Sequence, residues 1–185
     1  MFEQIIARML RAAQLDVELY NEVEKDENAT TEALIVVALT ALCAAIGTAL
    51  SGEGNLFSGI IWGIIGSLVG WLVSSATIYG AGVYLFGGTA TIGELLRTLG
   101  YATSPGILRI LSFIPVLGPI LGFVVSIWTL VTNVVATREA LDVDTTKAII
   151  ISIIAFVIWM VVLTLVGGIF GIGLAGLGVL SGAFQ

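Results

Sequence analysis

The chain has 185 residues and a net charge of -6; 58% of its residues are apolar, 11% are charged, and its mean hydropathy is +1.10. That much apolar surface excludes a soluble domain of this size and predicts an integral membrane protein folded as one unit. The absence of histidine removes the commonest general base, the lone Cys43 rules out an internal disulfide or thiolate metal site, and a pI of about 4.4 speaks against nucleic acid.

Phe2, Ile5, Ile6, Met9, Leu10, Ala13, Val17 and Tyr20 recur at helical spacing. Residues 1–24 therefore predict an amphipathic helix, lying on the membrane or docked on the bundle. Acidic residues interrupt it throughout, which excludes a signal peptide. Its polar face carries too few Lys and Arg for a dedicated binder of anionic lipid. Ten of the 20 charges fall in residues 1–28, so the rest of the chain is nearly uncharged.

The first span is predicted over Ala33 to Leu50, about 27 Å of helix against a core of about 30 Å. Ser51-Gly52-Glu53-Gly54-Asn55 reads as a turn. The second apolar run, Leu56 to Phe86, makes about 46 Å of helix and should tilt, protrude or loosen near Gly80 and Gly82.

Gly87-Gly88 ends that run. Thr91 and Glu94 form a capping-box pattern opening a short interfacial helix. Ser104-Pro105 restarts the chain with serine at the cap and proline at the first helical position. Residues 106–136 are apolar-rich but interrupted by Pro115-Val116-Leu117-Gly118-Pro119. One straight span and a tight hairpin both fit. The hairpin places Arg8, Arg11, Lys25, Arg97, Arg109, Arg138 and Lys147 on one side, as the positive-inside rule favours. It leaves a short third span, about 20 Å from Pro105 to Leu117. Asp144 is positioned to cap the fifth span, predicted from Thr146 to Val166. Residues 167–185 carry seven glycines and predict a break near Gly167-Gly168. This tail is re-entrant, lies on the outer interface, or contacts a partner.

The expected fold is thus all-α. It is an integral membrane bundle of five spans, the third and fourth a short proline-turn hairpin, with an N-terminal amphipathic helix and a short interfacial helix before the third span. Its parts are a cytoplasmic helix (1–28), the transmembrane domain (29–166) and the glycine-rich tail (167–185).

Gly59, Gly63, Gly66 and Gly70 form a glycine zipper that lets another helix approach closely, with Ala41, Ala45 and Ala49 as a matching face. Ser126, Thr129, Asn133 and Thr137 make a polar stripe. It reads as interhelical glue, because no charged residue joins it. Arg109, placed near the cytoplasmic end with Glu94, Glu139 and Asp142 in range, reads as an anchor that snorkels. Trp62, Trp71, Trp128 and Trp159 read as packing residues. No residue pattern holds a cofactor or a metal.

Leu99-Gly100-Tyr101-Ala102-Thr103-Ser104-Pro105, Ile114-Pro115-Val116-Leu117-Gly118 with Ile127-Trp128, and Arg138-Glu139-Ala140-Leu141 to Lys147-Ala148 occur in that order. In order and spacing they resemble the Ypt/Rab-interacting-protein (YIP) domain family, over roughly residues 10–165. Gly100, Tyr101, Pro105, Pro115 and Trp128 carry the resemblance. It implies five spans, a cytoplasmic N-terminus and no known catalysis. The short N-terminal region, without the aspartate-leucine-tyrosine-glycine-proline segment of eukaryotic members, resembles the prokaryotic branch and argues against a small GTPase partner.

The function expected is a non-enzymatic membrane-organising scaffold, homo-oligomer or accessory subunit in a prokaryotic cell membrane. Its partners would be the lipid bilayer, further copies or other membrane proteins. The competing expectation is a small-solute or lipid channel or permease using Arg109, Ser126, Thr129 and Asn133.

Overall fold

The computed structural model describes residues 2–52 and 56–182, and the side chains among them except those of 163 and 166–182. All regular elements among these residues are helical: α1 (Phe2–Ala13), α2 (Val17–Lys25), α3 (Ala29–Leu50), α4 (Leu56–Phe86), α5 (Ile92–Ala102), a 3-10 segment (Ser104–Phe113), α6 (Leu117–Leu141) and α7 (Thr145–Gly182).

The single amphipathic helix expected over residues 1–24 is two helices. Leu15 takes a left-handed φ of 63°, and the Asp16 N–H donates back to the Arg11 carbonyl at 3.1 Å, which terminates α1. Asp16 then caps α2, its carboxylate accepting from the N–H groups of Glu18 and Leu19. On α1, Ile5, Met9 and Ala12 are buried against the bundle, while Phe2, Ile6 and Leu10 remain exposed.

Contacts along the long helices fix their directions. Gly59 and Gly63 of α4 sit beside Ala45 and Ala41 of α3, so these two run antiparallel. The turn predicted at Ser51–Asn55 falls mostly on residues 53–55, outside the described residues. Helix α4 is continuous over 31 residues. It does not loosen at Gly82, which is buried where the Leu141 side chain packs.

The Thr91/Glu94 capping box forms as the sequence predicts and starts α5. Past Ala102 the chain tightens to 3-10 winding, with Pro105 in its first turn. Gly100 meets Ala33, Gly106 meets Thr40, and Gly47 meets the carbonyls of Arg109 and Ile110. The α5–3-10 path is therefore parallel to α3. The chain then reverses. Thr132 Oγ1 donates to the Ala102 carbonyl at 2.6 Å, and Gly118 lies against the backbone of Ser112, so α6 is antiparallel to the 3-10 segment.

The reversal is a tight turn at Ile114–Leu117. The Leu117 N–H donates to the Pro115 carbonyl at 2.8 Å, and Val116 has φ 68° and ψ -46°. That is a positive-φ γ-turn, strained for a β-branched residue. Helix α6 ends at a left-handed Asp142, and Asp144 caps α7 by accepting from the Lys147 N–H. Helix α7 runs to Gly182 without the break expected at Gly167-Gly168. Glycine, unlike proline, keeps its backbone N–H, so the helical ladder is maintained through an apolar run.

Four stretches are long and apolar enough to cross a membrane: Ala29–Leu50, Leu56–Phe86, Leu117–Leu141 and Thr145–Val162. The ten-residue 3-10 segment is not among them. The fold thus has two distinct ends. At the base, α1 packs on α3 and α6, α2 on α6, and α5 on α3, α4 and α6, while α7 packs on α4 and α6. At the tip lies the turn at Ile114–Leu117.

Candidate functional site

The charged residues of the base fold onto one another. The Arg8 side chain is 8% exposed, and its guanidinium reaches Glu32 at 2.7 Å, Glu22 at 2.7 Å and Asp26 at 3.1 Å. Tyr101 donates its hydroxyl to Glu32 at 2.5 Å. One cation thus joins α1, α2 and α3, and the phenol adds α5. Arg11 extends the cluster to Asp16 at 2.7 Å and Glu22 at 2.9 Å.

This enclosure is reflected in proton affinities. Burial alone would make Arg8 easier to deprotonate, but Glu22, Glu32 and Asp26 outweigh it and hold the charge above the ordinary arginine value. Arg11, then Arg8, keeps the Glu22 carboxyl below the usual range. Burial opposes the same shift at Asp26, but the Arg8 contact prevails. Burial, and then the Glu32 contact, push the Tyr101 phenol up. Glu24, by contrast, is pushed up by burial and by the negative charges of Glu94 and Asp142.

Arg97 is buried and closes α2. Its guanidinium donates to the carbonyls of Val23 and Glu24, where a helix C-terminus attracts positive charge. Two indoles add similar ties. Trp128 Nε1 donates to the Ala13 carbonyl at 2.7 Å and Trp71 Nε1 to the Leu96 carbonyl at 3.0 Å.

The residues singled out in the sequence fall in several places. Gly59 and Gly63 face α3, Gly70 lies against the Trp159 ring of α7, and Gly66 meets no neighbour among the described residues. Gly100 packs on Ala33, Tyr101 belongs to the base cluster, Pro105 is buried at the start of the 3-10 segment, and Pro115 is exposed in the turn. Trp62 is 70% exposed, unlike the other three tryptophans, and faces away from the helices. In the polar stripe, Ser126 donates to the Gly122 carbonyl and Asn133 to the Thr129 carbonyl, both within α6. The buried hydroxyls of Thr129 and Thr137 have no hydrogen-bond partner among the described residues.

Arg109 lies elsewhere than the sequence placed it. It is level with Gly47, in the tip half of α3, and donates to Ser126 Oγ at 3.2 Å. It does not pair with Glu94, Glu139 or Asp142. The path of the chain explains the difference: α5 already runs alongside α3, with Gly100 at Ala33 and Gly106 at Thr40, so Arg109 lies well past the base. The other six Lys and Arg residues are at the base. Together with Ala44, Thr48, Ser112, Gly122 and Ser126, Arg109 lines a groove of about 280 Å³.

Sequence reasoning missed the base cluster. Its signal was Glu32, an acid opening an apolar span, which demands a partner. Among the described residues no group of three or more His, Cys, Asp or Glu is arranged to hold a metal. Compared with known proteins, residues 19–167 match the Yip1 domain. No curated protein and no solved structure matches the chain.

Proposed function

The chain belongs to the Yip1 domain family, and we propose that it is a non-catalytic, membrane-organising scaffold. It acts as a homo-oligomer or as an accessory subunit of other membrane proteins in a prokaryotic cell membrane. The carrying observation is the partition of its surface. Nearly all the charged residues lie at the base, while α4, α6 and α7 present large apolar side chains such as Trp62, Phe123 and Phe156 outward. Gly66, with no described residue within 4 Å of its would-be Cβ, gives a second helix room to approach α4.

In this reading the 3-10 segment is a short third crossing, which makes five with α3, α4, α6 and α7. The antiparallel pairing of 102 with 132 supports it. The base faces the cytoplasm, as six of seven cations favour. Cysteines placed singly at positions 117 and 142 in a Cys43→Ala background test this. Labelling of position 142 from outside intact cells overturns the orientation.

The test of the scaffold is recovery in mild detergent. The expected result is a discrete oligomer or stable complex, shifted toward monomer by Gly66→Leu. The channel reading draws on the Arg109–Ser126 contact. Solute flux in proteoliposomes that disappears in Asn133→Leu would replace the scaffold with that reading.

A further inference from the structure

We infer that the groove at the tip binds a phosphate group, and that this is a role separate from any oligomer contact. The groove lies between α3, the 3-10 segment and α6. Arg109 and Ser112 are three residues apart on a helix of three residues per turn, so their side chains stack on one edge. Ser126 faces them across the groove from α6, and Thr48 from α3.

The donors outnumber the acceptors. Arg109 makes one hydrogen bond, to Ser126 Oγ, and a guanidinium carries five N–H groups. The Ser126 proton is already given to the Gly122 carbonyl at 2.7 Å. The hydroxyls of Thr48 and Ser112 donate to no described protein group. No carboxylate among the described residues pairs with Arg109, although the chain holds 13 acids. Ala44 and Gly122 complete the lining with the smallest side chains and leave the space open.

A planar fork with spare donors beside two hydroxyls, and no carboxylate paired with it among the described residues, suits a tetrahedral oxyanion that accepts several hydrogen bonds at once. The other six cations are at the base, so Arg109 supplies the positive charge of the groove. Arg109 lies four residues, about 8 Å, short of the end of the 3-10 segment, and its long side chain spans much of that interval toward an interface. There the abundant phosphate is that of a phospholipid headgroup, while free phosphate offers the same chemistry.

The test uses the full chain in mild detergent, observed by native mass spectrometry. One arm adds phosphatidylglycerol. The other adds inorganic phosphate without phospholipid. One retained phosphatidylglycerol is expected, with its apparent affinity lowered about tenfold or more in Arg109→Gln. Ser126→Ala, which keeps the charge, should weaken it a few-fold, and Lys147→Gln at the base should leave it unchanged. Arg109-dependent retention of inorganic phosphate, with no gain from phosphatidylglycerol, assigns the site to the free anion. Equal retention by wild type and Arg109→Gln in both arms overturns the proposal, as does an equal loss in Lys147→Gln.

Discussion

At the base, Arg8 is almost wholly covered and meets three carboxylates; at the tip, Arg109 is exposed and meets one hydroxyl. The same side chain thus serves two ends of one molecule in opposite ways. At the base, Arg8 and Arg11 are met by carboxylates from neighbouring elements, so the cluster holds four elements together. At the tip no carboxylate among the described residues meets Arg109, so this cation contributes little to stability and retains donors for something else. A charge holds this fold together only where its counter-charges come from other helices.

The largest expected effect comes from removing the cation at the base. Arg8→Met leaves Glu22, Asp26 and Glu32 facing one another and should cost about 3 kcal/mol or more, read as a lowered thermal midpoint in detergent. Equal destabilisation by Arg109→Gln, for which a change within about 0.5 kcal/mol is expected, would erase the contrast between the ends.

Steric closure of the tip comes next. A Cβ at Gly118 would overlap the Ser112 carbonyl, so Gly118→Ala should cost about 1–3 kcal/mol and expose the turn to proteolysis. Acid should open the base and not the tip. Glu22, Asp26 and Asp16 have carboxyls held below their ordinary values, so they stabilise the fold above their unfolded pKa, near 4, and lose that contribution as the pH falls through the native value. Trp128 fluorescence, tied to the Ala13 carbonyl, should shift below about pH 4 and stay constant above about pH 5.

The smallest effect is a gain. Val116→Gly removes the side chain strained at positive φ and should stabilise the turn by about 1 kcal/mol, seen as a higher midpoint.

Apolar run lengths made the long helices legible, and local chemistry gave the caps at Thr91 and Asp144. What periodicity could not show was the break at Leu15, because a residue without special propensity adopts the left-handed conformation and Asp16 alone restarts the helix. Nor could it show the winding of Ser104–Phe113. Reading the helix after Thr91 as lying in the interface put Arg109 too close to the base, whereas α5 runs alongside α3. The glycines at α4 were visible by spacing, whereas Gly47, Gly100 and Gly118 meet neighbours distant in sequence, so their packing depends on the whole bundle.

The 3-10 segment behaves like a wound spring. Ten residues at its pitch reach about 20 Å, against about 15 Å if the same residues relaxed to an α-helix. Relaxation would draw the turn about 5 Å inward and swing Arg109 off the edge it shares with Ser112. The reach of the tip, and with it the lone cation, is therefore set by helix pitch as much as by chain length.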